Sequence, residues 1–209
     1  MEKQKVKPLA KLSKSQFKPI IATNIDGLLI KNEAFTEPHK AWFERAIKKT
    51  KDNSFRKWIG KENYFIGVNE VMEKLMPSSS KEERIYQARK WYQEDVVKYI
   101  KSHSEIVKKD ITKKVASLKE KYRLILVTSN TKDYINKILK ASKLEGIYDS
   151  IIASKTEEEP DKEELIRELV KKYGKPKYYL TGKPEDKINI HFKKLEIKVI
   201  GVECIDEIY

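Results

Sequence analysis

The chain has 209 residues, 45 Lys plus Arg against 32 Asp plus Glu, and a formal net charge of +13. Hydrophobic residues make up 39%, with only seven Gly and seven Pro, which excludes collagenous, low-complexity and disordered classes. One cysteine, Cys204, excludes an internal disulfide framework and multi-Cys zinc sites, and His39, His103 and His191 show no metal-ligand spacing.

The first eighteen residues read as a basic arm, with Lys at 3, 5, 7, 11, 14 and 18 against a single Glu2. This arm lacks the apolar stretch of a secretory signal. No run approaches the roughly 18 apolar residues of a membrane span. The chain therefore reads as cytoplasmic with no membrane partner. Its heavy use of Lys and Glu is a thermophile-like composition. Much of the Lys alternates with Glu on helical segments, as a solvated, ion-paired face does. Nucleic acid or another anionic partner remains open on charge grounds.

Short apolar runs at Pro19–Thr23, Leu124–Val127, Ser150–Ala153, Tyr178–Leu180 and Val199–Val202 predict strands buried on both faces. Helical patterns separate the later ones: Lys132 to Ser142, then a stripe of Leu165, Ile166, Leu169 and Val170. This alternation predicts an α/β fold, an open, mostly parallel Rossmann-like sheet flanked by helices. Residues 31–122 break the rhythm and predict an inserted helical cap. Thr36-Glu37-Pro38 is read as one helix start there and the Ser80-to-Glu83 capping box as another. Residues 19–30 and 123–209 then form the core. The aromatics Trp42, Trp58, Trp91, Tyr86, Tyr92 and Tyr99 suit a subdomain core, or alternatively a groove between cap and sheet. Lysines 108, 109, 113, 114, 119 and 121 read as a solvated face or a phosphate-contact stripe. Cys204 reads as a small packed hydrophobe and His191 as a surface or packed histidine.

In such sheets ligands sit beyond the carboxyl ends of the strands. Those ends hold Asn24-Ile25-Asp26-Gly27-Leu28-Leu29, Thr128-Ser129-Asn130, the loop from Lys155 to Asp161, and Gly182-Lys183-Pro184-Glu185-Asp186-Lys187. On these four segments the chain resembles the haloacid dehalogenase-like superfamily, mostly phosphatases with an α/β core and an inserted cap.

The resemblance implies a nucleophilic Asp at the position held by Asn24 and an acid/base Asp at Asp26. It implies a phosphate-binding hydroxyl at Thr128, a Lys where Glu159 stands, and metal-binding acids where Lys183 and Lys187 stand. A carboxamide is a feeble nucleophile, and ammonium groups disfavour a bound cation. The expectation is therefore a disabled phosphatase site, a pseudoenzyme acting as a binding or scaffold protein, with no cofactor. Lys183 or Lys187 either closes the old site by pairing with Glu159 or Asp26, or joins Thr128, Ser129 and Asn130 in a metal-free anion pocket. The alternative is a Mg-dependent hydrolase using Asp26, Thr128, Lys155 and Asp186, with Asp26 and Asp186 on the metal. A further alternative is a nucleic-acid-binding protein reusing the fold. An engineered origin of Asn24 is disfavoured by the changes at 159, 183 and 187.

Overall fold

Apolar side chains alternate along each strand, so each strand needs cover on two faces. The computed structural model, which describes residues 18–61, 64–157, 162–182 and 188–208, supplies both. Five strands are hydrogen-bonded in the order β3-β2-β1-β4-β5, all neighbours parallel. They are β1 (Ile20–Thr23), β2 (Arg123–Thr131), β3 (Ser150–Ser154), β4 (Tyr178–Thr181) and β5 (Lys198–Gly201). Helices α1 (Glu33–Thr50), α2 (Tyr64–Leu75), α3 (Lys81–Ser102) and α4 (Lys109–Ser117) lie between β1 and β2. Helices α5 (Lys132–Ala141), α6 (Lys162–Tyr173) and α7 (Ile188–Lys194) follow the next three strands. This is the mostly parallel, helix-flanked sheet that the sequence predicts.

Ile21, Leu124, Leu126, Leu180 and Ile200 pack on one face with α5, the C-terminal half of α3 and Val115 of α4. Ile20, Ala22, Ile125, Val127, Ile152 and Tyr179 pack on the other against Leu165, Ile166, Leu169 and Phe192. A third cluster belongs to the insertion alone: Trp42, Phe43, Ala46, Ile47, Phe55, Val71, Met72 and Ala88, with Trp58 and Trp91 beside it. The tryptophans are thus packing residues. Tyr86 is exposed, and Tyr92 touches both this cluster and the sheet's.

Three expectations change. Helix α1 starts at Glu33, before Thr36, and Pro38 sits inside it. Ala34 is fully buried against the sheet cluster, so tertiary burial begins the helix one turn early. Strand β2 runs past Val127 to Thr131, with its register on β3 shifting between Thr128 and Thr131. The lysine stripe is partly engaged: Lys108 donates to the Gly27 carbonyl in a part-buried contact, while Lys114 pairs with Asp206 and Lys119 reaches Gly146 O and Asp149 at the surface. Lys109, Lys113 and Lys121 are exposed. The basic arm up to residue 17 lies outside the described residues; Lys18 donates to Lys119 O. No described helix is long and apolar enough to cross a membrane.

The capping box at Ser80 is complete, with Ser80 Oγ accepting from Glu83 N and Glu83 Oε2 from Ser80 N. Ser80→Ala is expected to cost about 1 kcal/mol. Leu126→Ala, which empties a fully buried site, should cost about 2–5 kcal/mol. Urea unfolding with unchanged m-values checks both.

Candidate functional site

From β1 the chain moves outward to β2 and β3, then returns across β1 to β4 and β5. The reversal puts a crevice beyond the carboxyl ends of β1 and β4. Here Asn24 follows β1 and Gly182 follows β4. Asn24 Nδ2 donates to Thr181 Oγ1 at 3.2 Å, and Gly182 N–H donates to Asn24 Oδ1 at 3.4 Å. Asn24 N–H donates to Leu180 O at 3.1 Å. One carboxamide therefore staples the two strand ends together, as donor and acceptor at once.

The following turn is closed by Gly27 N–H to Ile30 O at 2.7 Å and Leu29 N–H to Ile25 O at 3.0 Å. Gly27 has φ +71°, and a Cβ there would meet Gly182 O at 3.0 Å. A Cβ on Gly182 would lie 1.9 Å from Gly27 C, so the two loops touch through backbone alone. Lys108 fastens the turn from outside, its ammonium donating to Gly27 O and its N–H to Leu29 O. Leu28 and Leu29 are fully buried.

Asp26 leaves this turn half-buried, with Oδ1 out of contact with solvent. Two phenols feel its charge. Burial raises the Tyr148 hydroxyl above its ordinary range, and Asp26 raises it further. Burial also raises Tyr134, with Tyr92, Asp26 and Glu157 adding and Arg89 opposing.

At the end of β2 the register shift turns Ser129 outward, while Thr128 stays buried. Asn130 donates both its N–H (3.2 Å) and its Nδ2 (3.3 Å) to Thr128 Oγ1. Thr128 Oγ1 therefore accepts twice from one residue. Thr131 caps α5 by backbone position only, because its hydroxyl donates to Glu157 Oε1 at 3.0 Å. Gln93 of α3 donates to the other oxygen, Glu157 Oε2, at 2.8 Å. Glu157 thus ties the insertion to the core.

A family model described as haloacid dehalogenase-like hydrolase matches residues 21–178. The chain belongs to that family. Solved structures agree on the fold at low identity. A haloacid dehalogenase-like hydrolase from Streptococcus pneumoniae is 17% identical at a TM-score of 0.56, over 88% of this chain and 84% of its own. A HAD-superfamily hydrolase of subfamily IA from Geobacter sulfurreducens is 12% identical at 0.55, over 90% and 88%. YfnB from Bacillus subtilis, solved bound to magnesium, is 11% identical at 0.51, over 78% of each chain. A search of curated proteins returns no match.

In this haloacid dehalogenase-like chain the structure brings Asn24, Asp26, Thr128 and Asn130 to the carboxyl edge of the sheet. Ser129 lies at the same edge but faces out. Lys155 goes elsewhere: its side chain is 75% exposed and pairs with Glu168 of α6 at 3.5 Å. Among the described residues it makes no contact with Asp26 or Thr128, because Ser154 Oγ binds Thr156 O and N–H and turns the loop outward. Glu159, Lys183, Asp186 and Lys187 lie outside the described residues. A magnesium site is the family's usual equipment. The described residues do not fit one: at the family's positions they offer one carboxylate, Asp26, beside a carboxamide oxygen that accepts from Gly182, Glu157 is taken up by Gln93 and Thr131, and no group of three ligating side chains occurs among them. Mg²⁺ demands near-octahedral oxygen ligation with anionic donors. His191 sits 3.6 Å from Glu163, and Cys204 is half-buried at the edge of the sheet cluster.

Lys108, Glu157, Tyr134 and Tyr148 are the site-forming residues that sequence patterns miss. Gly182→Ala is expected to destabilise by at least the ~1–3 kcal/mol of an overpacked core, read by denaturant unfolding. Glu157→Gln keeps one acceptor of two. It should raise amide hydrogen exchange around Gln93 and Thr131 by roughly tenfold, the equivalent of one ordinary hydrogen bond, with little effect on β4 and β5.

Proposed function

We propose that this haloacid dehalogenase-like protein has given up metal-assisted phosphoryl transfer and works as a binding or scaffold protein. The observation that carries the reading is the pair of hydrogen bonds from Asn24. At the nucleophile's position stands a neutral side chain, and both its polar atoms are used to join β1 to β4. Asp26 alone offers general acid/base assistance of about 10²–10⁴-fold, far short of what phosphomonoester hydrolysis needs. The poor donor set for Mg²⁺ and the outward course of Lys155 support the same reading. In sequence, Glu159, Lys183 and Lys187 carry charge opposite to that of the family's residues, which also supports it.

Calorimetry with Mg²⁺ tests this, on the chain itself and on an Asn24→Asp, Lys183→Asp, Lys187→Asp variant. The expected outcome is no binding at sub-millimolar affinity by the chain and measurable binding by the variant. Sub-millimolar binding by the chain, with Mg²⁺-dependent turnover of a phosphate ester that Asp26→Asn abolishes, would return it to the hydrolases. Nucleic-acid binding has its own signature, a steep loss of retention on heparin as salt rises. Three of the six stripe lysines already have partners within the chain, Lys108, Lys114 and Lys119, so a shallow slope is expected.

A further inference from the structure

Arg89 stands out among the described charges. Long charged side chains are seldom taken out of water without a counter-ion. Arg89 of α3 is half-buried, and among the described residues its guanidinium meets no carboxylate; it lies 5.1 Å over the Phe65 ring. The same two residues line a cavity of about 50 Å³ enclosed by α1, α2 and α3. Val68, Ile85 and Ala88 make its walls apolar, and His39, Trp42 and Asn69 complete it. A water needs roughly 10–15 Å³ of such space, so a chain of a few carbons fits.

Two buried donors, one on the cavity wall and one in the sheet cluster, lack acceptors among the described residues. The Trp42 indole N–H is one, on a ring that lines the cavity and is 4% exposed. The Tyr134 hydroxyl is the other, on a ring 2% exposed at the core side. His39 adds no second cation, because burial holds its imidazole below the ordinary range. A guest therefore meets one fixed positive charge and mostly apolar walls.

We propose that this cavity binds a small monocarboxylate with a short apolar chain. The carboxylate lies on the Arg89 guanidinium and the chain lies among Phe65, Val68, Ile85 and Ala88. A guanidinium presents paired donors that match a carboxylate's two oxygens. A phosphate monoester, carrying up to two charges, is disfavoured because one guanidinium among apolar walls leaves the second charge uncompensated. The site stands on residues of the insertion, so it goes beyond the reading of the core and holds whether or not the core turns over an ester.

Titration calorimetry on the full chain, without metal, tests it with butyrate, its neutral counterpart butyramide, and inorganic phosphate. Butyrate should bind saturably. Arg89→Gln should weaken that binding by about tenfold or more, the loss typical of a hydrogen bond to a charged group, with Arg89→Lys partly restoring it. Butyramide should not distinguish the chain from Arg89→Gln. Ala88→Leu, which fills the cavity, should abolish binding while the unliganded protein still unfolds cooperatively; if that variant does not fold, the Arg89 pair decides alone. Absence of saturable butyrate binding, or binding indifferent to Arg89→Gln, would overturn the site. Displacement of butyrate by equimolar phosphate would overturn the monocarboxylate assignment. None of these readouts involves Mg²⁺ or turnover, so failure here is distinguishable from failure of the reading for the core.

Discussion

Gly27 and Gly182 meet backbone to backbone where β1 and β4 end, and the rest of the candidate site is arranged around that contact. Their closeness leaves no room for a Cβ on residue 182. It brings Gly182 N–H within reach of Asn24 and lets Asp26 leave the turn beside the buried ends of β1 and β2. Because β1 is central, the turn is braced from three directions: Asn24 to β4, Lys108 from the segment before α4, and the apolar Leu28 and Leu29 into the sheet cluster. A turn braced in this way is pre-organised, whatever it binds.

Charge is handled differently in the core and in the insertion. On the core side the polar groups are mostly neutral and satisfied internally: Asn24 on Thr181 and Gly182, Asn130 on Thr128. The insertion side carries Arg89, placed over an aromatic ring instead of a carboxylate. Glu157 joins the sides, accepting from Gln93 and from Thr131. The Gln93 bond is individually modest, yet it links residues 64 apart in sequence and crosses from insertion to core, whereas the Thr131 bond lies within the core. Opening the insertion away from the core must break the first and can leave the second intact.

The sheet was legible because burial on both faces writes itself into sequence as short uninterrupted apolar runs, such as Leu124–Val127. The Ser80 helix start was legible because capping is local chemistry. Helix α1 shows the limit: Thr36-Glu37-Pro38 is a good local start, but Ala34 is drawn into the sheet cluster and the helix begins before it. Among charged residues the limit is sharper. Lys108 reads like its neighbours in a solvated stripe, yet it alone fastens the Gly27 turn. Glu157 is one of three consecutive glutamates, and only tertiary structure singles it out. Nothing in a helical pattern separates a structural Arg89 from a solvated one, since its neighbours Phe65 and Tyr134 come from other helices.

Position 24 unites the fold and the proposed loss of chemistry. The staple requires one donor and one acceptor on the same side chain, which a carboxamide has and a carboxylate lacks. With Asp there, Gly182 N–H would still find an oxygen, but the Thr181 hydroxyl would have to reverse and donate. The added charge would also stand two residues from Asp26 in a partly desolvated turn, where two carboxylates raise each other's protonation unless a cation is shared between them. A family member with a metal has that cation. A chain whose described donors fit Mg²⁺ poorly gains from neutrality at this position, and it gains a strand-to-strand bond as well. On the proposed reading, the carboxamide at position 24 both takes the nucleophile's place and joins β1 to β4.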